Sequence, residues 1–174
     1  MLDAHRFHHT LGVAHLAVRL AVRHGCDAGK CARAALLHDA AKCLPRQEQA
    51  ALAARSGYPV EGWSDLYPSL LHGPAAAQWA RENFALDEPD LLDAVAYHPT
   101  GCGHPSPVLE ILMAADYCEP TRDFPGVEEL RRLALDDLRQ GLLAILTAKE
   151  RHLTGRQRRV NPLLADMKAA IGAQ

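Results

Sequence analysis

The amino-acid sequence predicts an all-α fold. Apolar residues recur at helical spacing along most of the chain. No segment shows the alternation of apolar and polar residues, or the enrichment in β-branched residues, that is typical of a strand. A chain of 174 residues is long enough to bury a core and fits one domain of ordinary size.

The first three helices are predicted upstream of residue 56. Gly25 suits the C-cap of the first helix, and Asp27 suits the N-cap of the second. The second helix passes through Leu37 and ends near Leu44-Pro45, because a residue before proline avoids the helical conformation. The apolar set of the first helix is Leu11, Ala14, Leu16, Ala17, Leu20 and Ala21. The third helix covers 46–55, and an irregular connection follows over 57–70.

The later helices are bounded by prolines. Pro74 suits the first turn of a helix, and Pro99 ends another near His98. These helices are expected over 75–84, 87–97, 108–118, 125–150 (as one long or two shorter helices) and shortly after Pro162, with a loop over 99–107.

Composition narrows the function classes. The net charge of −2 does not favour nucleic acid or an acidic membrane as a partner. No apolar run reaches the ~18–20 residues of a membrane span, and the N-terminal residues do not resemble a signal peptide, so we expect a cytoplasmic protein. A basic cluster over 151–159 is interpreted as a solvated connection, with binding of RNA or of a substrate's outer phosphates as the alternative. The cysteines are expected as free thiols: Cys26, Cys31, Cys43, Cys102 and Cys118.

Polar residues interrupt apolar helical segments at several points. His38 and Asp39 follow the apolar run that ends in Leu36-Leu37. Burying an imidazole and a carboxylate without partners is costly, and a divalent metal removes that cost because both groups are good ligands. A structural hydrogen bond between the two residues is the alternative. Ten histidines in so short a chain support the metal, and further histidines or aspartates border apolar helix faces at His9, His72, His98 and Asp116.

The order of these residues resembles the HD superfamily of metal-dependent phosphohydrolases, which have a histidine, a His-Asp pair, often two more histidines, and an aspartate. The short sequence segments that flank these residues are similar to those of the YqeK branch of bacterial bis(5′-nucleosyl)-tetraphosphatases, which cleave their substrate symmetrically. They are the residues from Arg6 to Val13, from His38 to Lys42, from His98 to Gly101, from Ala115 to Arg122, and from Phe124 to Val127. Where that branch usually has a threonine directly after the later ligand histidine, this chain has Pro99.

The resemblance implies one HD domain over residues 1–174, a helical bundle with the short helix of about 162–171 as an appendage. It also implies two divalent or mixed-valence metal ions. Iron is expected, and manganese, cobalt and zinc suit the same ligands. One metal would be held by His9, His38, Asp39 and Asp116, and Asp39 would bridge to a second metal held by His72 and His98.

The activity implied by the resemblance is hydrolysis of diadenosine tetraphosphate, or a related dinucleotide, to two nucleoside diphosphates by a metal-bound hydroxide. Lys42, Arg122 and Asp39 are the expected catalytic residues. Expected substrate contacts are Arg6, Lys42, Thr100, Gly101 and Arg122. For Lys42 the alternative is a solvated charge, and for Arg122 it is an ion pair with Glu119 or Asp123.

Two other functions stay open at this point. One is another HD phosphohydrolase activity, on a nucleoside monophosphate or a deoxynucleoside triphosphate. The other is a metal-stabilised protein that binds nucleotides without turnover. The expected partner is the nucleotide, with no nucleic acid and no membrane, and a homodimer is compatible with the sequence.

Overall fold

A computed structural model describes residues 4–173, and over that range the chain is helical with no β-strand. This confirms the all-α fold. The helices are α1 (Ala4–His24), α2 (Ala28–Leu37), α3 (Arg46–Arg55), α4 (Trp63–Leu66), α5 (His72–Phe84), α6 (Pro89–Tyr97), α7 (Pro107–Cys118), α8 (Val127–Asp136), α9 (Leu138–Gly155) and α10 (Pro162–Gly172), with a 3-10 turn at Pro68–Leu70.

Helix α7 is the centre of the bundle. Nine of its twelve residues are buried, because it is apolar on nearly all sides. It packs against α1, α2, α6, α8 and α9, so that Asp116 near its C-terminal end lies within reach of several other helices. Helix α10 packs against α9 and adds Leu164, Met167 and Ile171 to the core.

Helix α1 buries one face against α2 and α7. The buried face includes His9, Leu16 and Leu20. Leu11, predicted with the apolar set, is instead 46% exposed. At about 100° per residue Leu11 is turned roughly 200° away from His9, so the two side chains leave opposite sides of the helix.

One helix end differs from the prediction by several residues, and one predicted connection contains helical turns. Helix α2 ends at Leu37 and not near Leu44, and the segment that carries His38 and Asp39 forms tight turns. The connection over 57–70 contains the short helix α4 and the 3-10 turn. Gly25 has the left-handed conformation expected after a helix, with φ of +71°, and Asp27 accepts a hydrogen bond from the Lys30 amide as the N-cap of α2.

The region over 125–150 forms two helices. Helix α8 ends at Asp136, and the Asp137 side chain accepts from the Gln140 amide to begin α9. Across the described residues, no helix is long and apolar enough to cross a membrane.

Candidate metal centre

Residues from five elements converge on one buried site. His9 comes from α1, and His38 and Asp39 from the turn after α2. Burial is nearly complete for five of the six predicted ligands, while the Asp116 side chain is 27% exposed and forms the rim. The site therefore brings together His9, His38, Asp39, His72, His98 and Asp116.

The turn that carries His38 and Asp39 is held by hydrogen bonds between residues three apart. The Ala40 amide donates to the Leu37 carbonyl at 3.0 Å, and the Lys42 amide donates to the Asp39 carbonyl at 2.9 Å. This winding is tighter than that of an α-helix. It brings His38 Nε2 within 3.6 Å of Asp39 Oδ2, so both neighbouring side chains reach the same site.

Three of the imidazoles are fixed in the same way, each by a hydrogen bond to the carbonyl three residues earlier. A carbonyl only accepts, so Nδ1 carries the proton in each ring and Nε2 keeps a lone pair. The donor–acceptor pairs are His38 to Ala35 at 2.7 Å, His72 to Ser69 at 2.7 Å, and His98 to Val95 at 2.8 Å. All three rings thus present Nε2 to the centre, in the form that binds metal.

His9 is oriented by a carboxylate. Its Nδ1 donates to Glu119 Oε1 at 3.2 Å, and its Nε2 lies 3.1 Å from Asp116 Oδ1. Burial alone would lower the pKa of His9, but the hydrogen bonds to Asp116 and Glu119 outweigh burial and raise that pKa. The contact of Glu119 with His9 was not predicted from the sequence, which offered Glu119 only as an ion-pair partner for Arg122; that pair is also present, with Arg122 Nε 3.7 Å from Glu119 Oε1.

Asp39 contacts imidazoles with both of its carboxylate oxygens. Oδ1 lies 3.4 Å from His72 Nε2 and 3.8 Å from His98 Nε2. Oδ2 lies on the other side, 3.6 Å from His38 Nε2 and 2.9 Å from Lys42 Nζ. Asp116 Oδ1 lies 3.8 Å from His38 Nε2 and 3.1 Å from His9 Nε2. Two sets of three ligand atoms each lie within 4.8 Å of one another. One set comes from His9, His38 and Asp116, and the other comes from His38, Asp39 and His98.

Several polar atoms of the site lack a protein partner. His38 Nε2 and Asp39 Oδ1 are buried without a hydrogen bond to any described residue. His72 Nε2 and His98 Nε2 lie 3.0 Å apart, and both keep a lone pair because both Nδ1 atoms donate elsewhere. Two facing lone pairs and an orphaned carboxylate oxygen are unfavourable in a buried site. A cation relieves all of these contacts at once, so the residues fit metal ions.

The charges keep the ligands in their metal-binding forms. Burial would raise the pKa of Asp39, but His38, His98 and Lys42 outweigh it and hold the pKa at about 2. Burial lowers the pKa of His72 to about 4 and that of His98 well below the ordinary value. The carboxylate is therefore ionised and these two imidazoles are neutral at physiological pH, as metal binding requires.

Three cationic side chains surround the rim. Arg122 Nε and Nη2 donate to the Asp116 carbonyl at 3.2 and 3.1 Å, and Nη2 lies 3.3 Å from Asp116 Oδ1. Lys42 is 42% exposed beyond its contact with Asp39. The third, Lys149 of α9, was not predicted; its Nζ donates to the Pro99 carbonyl at 2.7 Å. Burial lowers the pKa of Lys149, while the charge of Asp116 raises it and that of Lys42 lowers it further.

The remaining predicted contacts lie around this centre. Arg6 Nη1 donates to Cys43 Sγ at 3.2 Å, beside the turn that carries Asp39. Thr100 is buried, and its hydroxyl donates to the Gly101 carbonyl at 3.0 Å. Gly101 has a φ of +77°, and an added Cβ would lie 2.6 Å from the Met167 Cβ, so both backbone and space require glycine there.

Comparison with known proteins identifies the family that the sequence motifs resemble. Residues 6–121 match the HD domain family model. A symmetrical bis(5′-nucleosyl)-tetraphosphatase of Bacillus subtilis is 39% identical over 142 residues, which cover 82% of this chain and 76% of that protein. A protein of the same name from Halalkalibacterium halodurans is 37% identical over 147 residues, covering 83% and 77%.

A solved structure supports the assignment of the fold. The crystal structure of a protein from Clostridium acetobutylicum, described as a predicted HD superfamily hydrolase involved in NAD metabolism, superposes with a TM-score of 0.93 at 32% sequence identity. The superposition covers 99% of this chain and 91% of that one. The match to the family model spans the helices that carry all six candidate ligands, and this chain belongs to the HD domain family.

Proposed function

We propose that this protein hydrolyses dinucleoside tetraphosphates symmetrically and releases two nucleoside diphosphates. The observation that carries the proposal is the arrangement of Asp39, whose Oδ1 faces His72 and His98 and whose Oδ2 faces His38. A carboxylate in that position can be shared by two metal ions, and paired metals are common in enzymes that cleave phosphate bonds. The names of the relatives in Bacillus subtilis and Halalkalibacterium halodurans supply the substrate class.

The proposed ligand roles follow from which side chains lie near each oxygen of Asp39 and near Asp116. His9, His38 and Asp116 would hold one metal together with Asp39, and His72 and His98 would hold the other, with Asp39 as the bridge. When bound, the two cations supply the positive charge that activates a water molecule and stabilises the phosphoryl group under attack. Imidazole and carboxylate ligands suit iron, which we propose as the native metal, although manganese, cobalt and zinc accept the same ligands.

Lys42 and Arg122 would bind the polyphosphate. Lys42 Nζ is close to Asp39 but partly exposed, so an ammonium donor is available beside the bridging carboxylate. Arg122 holds the Asp116 backbone through one edge of its guanidinium, and its side chain is 39% exposed. A planar guanidinium matches the geometry of phosphate oxygens, so a partly exposed arginine at the rim suits a phosphate clamp.

Three further residues are proposed as substrate contacts outside the pair formed by Lys42 and Arg122: Arg6, Thr100 and Gly101. Arg6 lies beside the turn of Asp39, where it can meet a phosphate from the α1 side. Thr100 and Gly101 are packed into the loop after His98, so their contribution would be the shape of the wall and not a free side chain.

Product analysis tests the proposed reaction. Metal-loaded protein is incubated with diadenosine tetraphosphate, and the nucleotides are separated by ion-exchange chromatography. ADP as the sole product is the expected result, since cleavage of the central anhydride leaves two phosphates on each nucleoside. AMP together with ATP would retain a hydrolase but refute the position of cleavage. Metal analysis of protein purified without added metal tests the proposal of iron.

A further inference from the structure

A cavity of about 480 Å³ lies beside the metal centre. Its walls come from the start of α3, residues 66–70, the loop after His98, α9, the residues that follow α9, and α10. We call it the Lys149 cavity. Its size falls within the ~300–1,000 Å³ of pockets that bind small ligands.

The charge of the Lys149 cavity is entirely positive. Among the residues that line it, four are cationic and none is a carboxylate: Arg46, Lys149, Arg158 and Arg159. Within residues 4–173, neither Arg158 nor Arg159 has a carboxylate partner, in contrast to Arg33, Arg55, Arg131 and Arg132 on the rest of the surface. Unpaired cations collected in a cavity favour a polyanionic ligand.

The cavity adjoins the backbone that holds two of the candidate ligands, His72 and His98. The Ser69 carbonyl, which fixes His72 at 2.7 Å, belongs to a residue of the cavity wall. Pro99 and Thr100 directly follow His98, and the Pro99 carbonyl accepts from Lys149 Nζ. None of the six candidate ligands lines the cavity itself, but residues that fix His72 or follow His98 do, so the cavity lies on that side of the metal centre.

The same cavity offers an apolar and aromatic wall. Tyr67, Leu70 and Leu153 line it, and the Tyr67 hydroxyl donates to the Val160 carbonyl at 3.4 Å. That contact ties the tyrosine to the segment that carries Arg158 and Arg159. An aromatic ring next to cations is the combination that binds a base and its phosphates, since every base has a face that stacks.

We propose that the Lys149 cavity binds one nucleoside diphosphate half of the dinucleotide, the half on the side of His72 and His98. Lys149, Arg158 and Arg159 would hold its phosphates, and Tyr67 and the neighbouring leucines would hold its base. The inference rests on the proposed function, because it assigns a place to one half of that substrate. It also divides the basic cluster over 151–159 into residues that line the cavity and residues that do not.

The experiment compares two arginine variants of the full-length, metal-loaded protein. Arg158→Ala/Arg159→Ala removes two cations of the cavity. Arg156→Ala removes an exposed arginine of the same segment that does not line it. The probe is a diadenosine tetraphosphate in which a methylene group replaces the central bridging oxygen, so that symmetrical cleavage is blocked. Its affinity is measured by calorimetry, beside kcat and KM for the cleavable dinucleotide.

The double variant should bind the analogue about tenfold or more weakly, since each charge-assisted contact to phosphate is among the stronger hydrogen bonds. KM should rise in parallel, and Arg156→Ala should match the wild-type protein. Equal affinity in the double variant and the wild type would overturn the inference and leave the proposed function intact. Loss of affinity for a single-stranded RNA without loss of affinity for the analogue would also overturn it.

Two further results keep the inference separate from the proposed function. If the wild-type protein does not cleave the dinucleotide, the proposed function fails, and the analogue comparison still decides what the cavity binds. Photolabelling of the wild-type protein with 8-azido-ADP locates the base directly. Label on the peptide that contains Tyr67 is expected, and label confined to the peptide that contains Phe124, on the other side of α9, would refute the placement.

Discussion

Glu119 offers the sharpest test of how the metal centre is held. Its side chain is 1% exposed and accepts the His9 Nδ1 proton at 3.2 Å. Thr121 fixes the carboxylate from the other side, because its amide donates to Oε2 at 2.7 Å and its hydroxyl donates to Oε1 at 2.5 Å. Glu119 does not face the other imidazoles, so its effect on metal binding should pass through the orientation of His9.

Replacing Glu119 by alanine should weaken metal binding without removing a ligand. A hydrogen bond to a charged group contributes ~1.5–3 kcal/mol, and loss of the partner that orients a ligand histidine costs about ten- to a hundredfold in metal affinity. Glu119→Gln should lose less, because one amide oxygen can still accept from His9. Its NH₂ group would, however, replace an oxygen that accepts from Thr121.

Metal affinity is measured by competition with a chromophoric chelator, and kcat is measured at saturating metal. His9 remains in Glu119→Ala, and Arg122, whose Nε lies 3.7 Å from Glu119 Oε1, keeps its hydrogen bonds to the Asp116 carbonyl. The kcat of Glu119→Ala should therefore return close to the wild-type value once metal is saturating, whereas a catalytic role would keep it low. Glu128→Ala is the matched control, since that side chain is 82% exposed and pairs with Arg131. Wild-type metal affinity in Glu119→Ala would show that Glu119 does not position His9.

Four further outcomes are expected. Asp39→Asn should bind at most one metal and lose activity about a thousandfold or more, as metal analysis and product assays would show, because an amide cannot bridge two cations as a carboxylate does. Gly12→Ala should reproduce part of the Glu119→Ala loss in the chelator assay, since its Cβ would lie 2.4 Å from Glu119 Oε2. Acidification should release the metal held by His9 first. Burial lowers the pKa of His9, but its carboxylate partners outweigh burial and raise that pKa, whereas burial lowers the pKa of His72 to about 4. Metal affinity is lost as the pH falls through the pKa of each ligand. Bound metal plotted against pH should therefore show two steps. Chelation should lower Tm by roughly 2–12 °C, measured by calorimetry. Leaving buried polar atoms without a partner costs ~1–3 kcal/mol, and each kcal/mol corresponds to about 2–4 °C at this chain length.

Helix positions followed from the sequence, but one helix end did not. The apolar residues from Ala34 to Leu44 have spacings that suit both hydrogen bonds between residues four apart and those between residues three apart. The pattern therefore favoured a continuous helix through His38. At the end of α2 the structure has a contact that the apolar pattern does not encode: the buried His38 ring donates to the Ala35 carbonyl, which a longer helix would have paired with the amide at residue 39.

The two site residues that were not predicted differ in whether the sequence pattern indicates where their side chains lie. Lys149 lies three and four residues after the buried Leu146 and Ile145, so its position on the inner face of α9 could have been inferred from spacing alone. Glu119 lies at the end of α7, directly before Pro120, where the helical period gives no direction for the side chain. Its burial depends on the approach of α1 at Gly12, which a single sequence does not reveal.

Helix ends explain why an all-helical chain can build this centre. The last carbonyls of a helix have no intrahelical partner. In α2 and α6 one of these carbonyls, that of Ala35 or Val95, accepts from the imidazole that directly follows the helix. A single contact therefore satisfies a backbone carbonyl that has no partner within the helix, fixes the tautomer, and turns Nε2 toward the bundle centre. Because α6 and α2 both pack on α7, two helix ends place His38 and His98 with ring centroids 5.0 Å apart. The ligand geometry is thus a consequence of where these helices stop, and a variant that extended α2 by one turn would move His38 and Asp39 together.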